Sequence, residues 1–202
     1  MSSSTPSDAV LAGLGYGASA VAVVITDPRQ SDNPIVDCNA AFEALTGYAR
    51  SEIVGRNCRF LRGADTDARD SARLRAAIQA VRPALVEILN YRKDGSAFRN
   101  AVMIAPIFGP EGELAYFMGS QMEVGSGAPH AAQQDARARV ALLSPRQREI
   151  LGAMAAGRLN KQIAHALGLS ERTVKMHRGA VIRALGLRTS AEAIRLAVEA
   201  GY

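Results

Sequence analysis

The sequence is poor in cysteine and histidine, with two cysteines, Cys38 and Cys58, and three histidines in 202 residues. Two thiols make a poor disulfide framework, so both are expected to be reduced, as in a cytoplasmic protein. Cysteines and histidines this scattered lack metal-ligand spacing, and no structural metal is expected. There is no run of 18 apolar residues, and the N-terminus lacks a basic stretch followed by an apolar one. Membrane spanning and secretion are therefore not expected. With 48% hydrophobic residues and a mean hydropathy of zero, the chain suits one or two soluble globular domains.

A net excess of positive charge is also missing from most of the chain. Residues 1–143 carry 14 Lys/Arg against 15 Asp/Glu, whereas 144–202 carry 10 against 4, which concentrates the whole excess of the +5 net charge in the last 59 residues. That is the footprint of a nucleic-acid module beside a neutral one.

Patterning divides the chain into four parts: a Ser/Gly/Ala-rich segment over 1–17, expected to be only partly ordered; a sensor-like domain over 18–124; a linker and connecting helix over 125–143; and a helical domain over 144–202. In the second part, Ala20–Asp27 and Ile35–Cys38 read as strands. Asn39 caps a short helix with Phe42 and Leu45 inward, and Asp67–Val81 reads as a helix with Leu74, Ile78 and Val81 on one face. Leu85–Lys93, Phe98–Phe108 and Glu113–Val124 then form an antiparallel meander, with Asp94-Gly95 and Gly109–Gly112 as its turns. The expected fold is α+β with a five-stranded sheet, followed by an all-α domain. In that domain Ser144-Pro145 opens the first helix, and Leu159–Leu167 and a helix capped by Ser170 flank Gly168, the spacing of a helix-turn-helix. Thr189 or Ser190 opens the last helix.

The run Gly55-Arg56-Asn57-Cys58-Arg59-Phe60-Leu61 sets a lone thiol beside an amide and two guanidinium groups, a setting expected to favour thiolate and to attract an anion. Period-two alternation lets Asn90, Asn100 and Gln121, one from each meander strand, share the inward face with apolar neighbours. Three buried carboxamides near Cys58 suggest a ligand edge rich in donors and acceptors.

These residues resemble the LOV family, the blue-light-sensing branch of the PAS fold, across roughly 18–124. The resemblance implies bound FMN. Arg59 and Arg75 would meet its phosphate, Asn57 its ribityl chain, Asn90 and Asn100 the polar edge of the ring, and Gln121 the region of N5 and O4. The family has Gln where this chain has Arg62, a third guanidinium that would meet the phosphate or lie in solvent. In that chemistry light drives the Cys58 sulfur onto flavin C4a while N5 gains a proton, and Gln121 answers by rotating its amide. Cys38 lacks such neighbours and reads as a small core residue. An enzyme using Cys58 as nucleophile is disfavoured, because no His or carboxylate pair stands nearby in the sequence.

Residues 144–201 resemble the LuxR-type DNA-binding domain, through Leu143–Gln147, Glu149, Gly157, Asn160–Ala164, Leu167–Ser170, Thr173–Lys175, His177 and Leu185. The third helix has an apolar back (Val174, Val181, Leu185) and a front bearing Arg172, Thr173, Lys175, Met176 and Arg183, a shape the major groove of double-stranded DNA accepts. Lys175 and Met176 are expected near bases with Arg178 at the flank, and Thr173, Asn160 and Lys161 at phosphates. The last helix carries two apolar stripes. One, formed by Ala193, Leu196, Ala197 and Ala200, suits a homodimer. The apolar outer sheet face (Leu114, Tyr116, Met118, Met122, Met103, Leu89) offers a competing partner. The expectation is docking and a monomer in the dark, and release and dimerisation in the light. A redox- or ligand-sensing PAS regulator with the same output is the alternative.

Overall fold

The computed structural model describes residues 11–125 and 129–202; the first ten residues and the Ser/Gly/Ala stretch 126–128 of the linker lie outside them. Residues 11–18 are folded. A short 3-10 turn at Tyr16–Ala18 precedes β1 (Ala22–Thr26), and Leu14 is buried. After β2 (Ile35–Cys38), helix α1 (Ala40–Thr46) starts at Asn39, whose Oδ1 accepts from Phe42 N at 3.1 Å and Val23 N at 2.9 Å. The same amide donates to Val21 O at 2.9 Å and Tyr16 O at 3.0 Å, so one side chain fixes helix, strand and N-terminal segment together.

A one-turn helix α2 (Arg50–Ile53) leads into the 3-10 turn Cys58–Leu61, and α3 (Ala68–Gln79) follows, capped by Asp67. The sequence reading carries this last helix to Val81. It stops at Gln79 because Val81 adopts the left-handed conformation (φ 49°), yet Val81 still packs on the apolar cluster of that face. Strands β3 (Ala84–Tyr91), β4 (Ala97–Phe108) and β5 (Leu114–Glu123) complete an antiparallel sheet of order β2-β1-β5-β4-β3.

The sheet has two differently employed faces. Inward lie Val24, Ile88, Ile104 and Phe117, with Leu74 of α3 packed against the last three. Outward lie Val23, Ile25, Met103, Ala105 and Met118, all essentially inaccessible. Leu114, expected outward, packs on the inner cluster instead. The pairing slips between Ile107 and Phe108, leaving Ala115 as the extra residue of a bulge, which turns Leu114 over. Met122 is 38% exposed, beyond the covered part of the outer face.

Five further helices follow: α4 (Pro129–Ala141), α5 (Pro145–Ala155), α6 (Asn160–Leu167), α7 (Glu171–Ala184) and α8 (Ser190–Ala200). Their starts are chemical. Ser144 and Gln147 form a reciprocal capping box before Pro145, Ser170 caps α7 and Thr189 caps α8. Gly168 closes α6 at φ 64°, as the tight turn requires.

Helix α8 is buried on nearly every side. It packs on α4, α5, α7, the N-terminal segment and the outer sheet face, and one continuous apolar core runs from Ile25, Met103 and Met118 through Ile194 to Ile150 and Leu151. Part of the apolar surface of these side chains leaves water at this contact, which favours the docked arrangement. Ala191 N donates to Leu14 O at 3.1 Å and Ser19 Oγ to Glu192 at 3.1 Å, so the N-terminal segment straps the start of α8.

Candidate functional site

The inner sheet face, α3 and the Cys58–Leu61 turn enclose a cavity with about 700 Å³ of empty space, its mouth included. Cys58, Asn57, Arg59, Arg62, Asn90 and Gln121 all line it. Gly119 keeps it open: a Cβ there would already lie 3.0 Å from Val24 Cγ2.

The three carboxamides form a chain along adjacent strands. Asn100 Nδ2 donates to Asn90 Oδ1 at 2.9 Å and to Gln121 Oε1 at 2.7 Å. Asn100 itself is completely buried behind the cavity wall, and among the described residues its Oδ1 has no hydrogen-bond partner; neither has the buried Oδ1 of Asn33, on the cavity lining. Buried acceptors left unmatched are costly, and of these two only Asn33 Oδ1 belongs to a residue of the lining, where a donor on a ligand could meet it.

Of the arginines expected at the phosphate, Arg59 and Arg62 line the cavity. Arg59 is held by Asp32 in a two-point ion pair, with Nη1 to Oδ1 at 2.6 Å, and Asn57 caps the turn, accepting from Arg59 N at 3.0 Å and donating to Asp32 O at 2.5 Å. Arg56 lies 4.1 Å over the Phe60 ring. Arg75 is exposed on α3 and does not line the cavity. Arg62 does line it; burial, then the proximity of Arg75 and Arg59, pushes its pKa down. A cluster of like charges at a pocket mouth is the electrostatic condition for holding an anion.

The expectation of a dark thiolate is not met. Cys58 presents part of its surface to the cavity, but protein surrounds that cavity, and burial pushes the thiol up to about 12; Arg62 opposes this only weakly. Arg59 is occupied by Asp32 and Arg56 lies over the Phe60 ring, which leaves Arg62 as the guanidinium facing the thiol. Cys38 is also raised by burial.

On the helical domain, Arg172, Lys175, Met176 and Arg183 are exposed along α7, and Lys161 is exposed on α6. Thr173 is half-buried, its hydroxyl 2.8 Å from Ser170 Oγ. Arg178 departs from its expected place at the flank of this surface. It turns inward, donating to Asn160 Oδ1 at 2.6 Å and Ser190 Oγ at 3.1 Å, and burial lowers its pKa. Asn160, Lys161, Lys175 and Arg178 border a groove whose other wall is Pro106, Ile107 and Pro110 of the sheet domain. Ala193, Leu196, Ala197 and Ala200 are all buried, covered by the docking described above.

Sequence reasoning missed Asp32, Leu14, Asn39 as a hub, and Arg195. Only Arg195 left a signal: a charge set directly between the apolar pairs Ala193-Ile194 and Leu196-Ala197. Among the described residues no His/Cys/Asp/Glu cluster could hold a metal ion, and no helix is long and apolar enough to cross a membrane.

Together these features define a sensor domain of PAS architecture joined to a helix-turn-helix domain. The chain belongs to the PAS domain family, whose model matches residues 20–124, and residues 141–197 match the bacterial regulatory proteins of the luxR family. Blue-light-activated histidine kinase 1 of Erythrobacter litoralis (strain HTCC2594) is 50% identical over 121 residues, 60% of this chain and 34% of that protein. The blue-light photoreceptor of Listeria monocytogenes is 49% identical over 106 residues, 52% of this chain and 42% of its own length. A light-oxygen-voltage domain solved in work on a flavin analogue superposes with a TM-score of 0.53 at 41% identity, over 57% of this chain and 85% of that one. The chain thus spans less than half the length of these two curated relatives, and the matched part is the sensor.

Proposed function

We propose that this protein is a blue-light-regulated, DNA-binding transcription regulator whose sensor holds FMN against Cys58. The open inner face, the unmatched amide oxygens and the cationic mouth fit a flavin with a phosphate tail, which Arg62, Arg75 and Arg59 would meet. The relatives named for blue light support the same cofactor class. Bound flavin would supply a light-excited ring carbon to which the Cys58 sulfur adds while the ring takes up a proton.

The chain's own residues set the conditions. Burial keeps Cys58 protonated at neutral pH, so the thiol carries its own proton to the site. Gln121 accepts from Asn100 through Oε1 and, being an amide, can present either a donor or an acceptor to the cavity after rotation. Among the described residues no imidazole or carboxylate lines the cavity.

The observation that carries this reading is the placement of α8 on the opposite face of the sheet that bears Gln121. A disturbance of β5 reaches the docked helix through one layer of backbone. Release then frees Ala193, Leu196, Ala197 and Ala200 to pair with the same helix of a second copy, giving a dark monomer and a lit dimer. The dimer presents Arg172, Thr173, Lys175, Met176 and Arg183 to paired DNA half-sites, with Asn160, Lys161 and Arg178 available at phosphates once the groove opens. Such a regulator acts in the cytoplasm, where the DNA is.

Absorption before and after blue light, with sedimentation and a DNA footprint on the same sample, tests this. Reversible bleaching of a flavin band with dimerisation and protection in light is expected. A colourless protein, or one whose band does not bleach, points to a redox- or ligand-sensing regulator instead.

A further inference from the structure

Arg195 sits in the middle of α8 and is 4% exposed. Its Nη1 crosses the domain boundary and donates to three acceptors on the outer sheet face: Ser120 O at 3.1 Å, Ser120 Oγ at 3.1 Å and Ala101 O at 3.3 Å. Its Nε pairs with Glu199 at 2.7 Å, while Nη2 has no partner among the described residues, and burial lowers its pKa. A buried cation with an unmatched N–H is expensive, and packing alone would be served by Leu or Met.

The acceptors are informative. Ser120 immediately precedes Gln121 and Ala101 immediately follows Asn100, and Gln121 pairs with Val102 across β4 and β5. Arg195 therefore grips, from outside, two of the three strands whose inward side chains form the amide chain at the cavity, those that carry Asn100 and Gln121. Apolar contacts tolerate a shift of a few tenths of an ångström, whereas a charge-assisted hydrogen bond weakens steeply with angle and length.

We propose that Arg195 is the positioning residue through which the cavity and helix α8 exchange free energy, so that the state of Gln121 sets its grip on Ser120 and Ala101. This rests on the reading above, that β5 responds to a flavin and α8 leaves the sheet. Coupling is reciprocal: what the cavity does to the Arg195 contact, that contact does to the cavity. A residue that only stabilised docking would change the assembly of the protein and nothing at the chromophore.

The test uses the full chain as Arg195→Met, which keeps the apolar stem, and Ser120→Ala, which removes one acceptor on the sheet side. Two quantities are read: the light-to-dark ratio of dimer by sedimentation, and the rate at which the bleached flavin band returns in the dark. For Arg195→Met the ratio is expected to fall on the order of ten-fold, the low end for hydrogen bonds to a charged group. The rate of return is expected to change as well, with a smaller shift of both in Ser120→Ala. A wild-type ratio, or a lost ratio with a wild-type rate of return, overturns the proposal. If Arg195→Met fails to fold, Ser120→Ala alone decides, and wild-type values in both readouts are the overturning result. Absence of bleaching in the unmodified protein would instead remove the underlying reading, which keeps the two failures apart.

Discussion

Asn100 Nδ2 lies 2.7 Å from Gln121 Oε1, and the donor is spent on that bond and on Asn90 while Asn100 Oδ1 goes unmatched. Replacing Gln121 by Leu leaves one buried N–H of Asn100 without an acceptor. The expected loss is about 1–3 kcal/mol in denaturant unfolding of the flavin-free chain. In the flavin-loaded chain, Gln121→Leu is expected to bleach normally while its light-to-dark difference in DNA affinity shrinks. An undiminished difference would place the signal elsewhere than in this amide.

Cys58 provides a pH test with a definite sign. Burial raises the thiol from an ordinary 9.0 to about 12, so the folded chain keeps a proton that the unfolded chain gives up. Between those values the native state binds more protons. This group's contribution to stability is complete below pH 9 and is lost as the pH climbs towards 12. At pH 8 the folded protein should hold roughly a thousand-fold less Cys58 thiolate than the unfolded one. Alkylation followed by mass spectrometry of the Cys58 peptide, in the dark and in urea, measures this; equal rates in both would contradict the burial.

What could be read from the sequence was local. Asn39, Ser144, Ser170 and Thr189 cap helices because their side-chain oxygens lie within reach of backbone N–H groups two or three residues on, and Asp94-Gly95 turns a hairpin for equally local reasons. Alternation brought Asn90, Asn100 and Gln121 to one face. What escaped depended on partners distant in the chain. Asp32 takes the Arg59 guanidinium from 27 residues away, the Ala115 bulge reverses Leu114, and Arg178 and Arg195 fold inward onto other elements. A positive residue set between two apolar pairs was the one visible trace of the last.

Arg62 separates recognition of phosphate from recognition of the ring. It lines the cavity mouth near Arg59 and Arg75, and unlike Arg59 it has no ion-pair partner among the described residues. Arg62→Ala is expected to weaken FMN by about 1.5–3 kcal/mol, the range for a hydrogen bond to a charged group, and riboflavin hardly at all. Fluorescence quenching titrations with both ligands decide; an equal loss for riboflavin would assign Arg62 to the ring or the fold.

Gly157 gives the docked state a single-methyl test. It follows α5 with φ 75°, and a Cβ there would fall 2.2 Å from Pro106 O on β4, in a place no side chain can yield. Phe108 N also donates to Gly157 O at 3.4 Å, so backbone meets backbone where the helical domain abuts the sheet. Gly157→Ala must push the domains apart or strain the turn, while leaving the cavity, on the other side of the sheet, untouched. Gly186→Ala controls for the strain alone, since Gly186 is also left-handed at φ 66° but its Cβ would meet nothing within 4 Å. The expected outcome is a dark shift toward dimer and tighter dark DNA binding for Gly157→Ala only, with flavin bleaching unchanged in both. Equal behaviour of the two variants would mean that this contact does not hold the domains together.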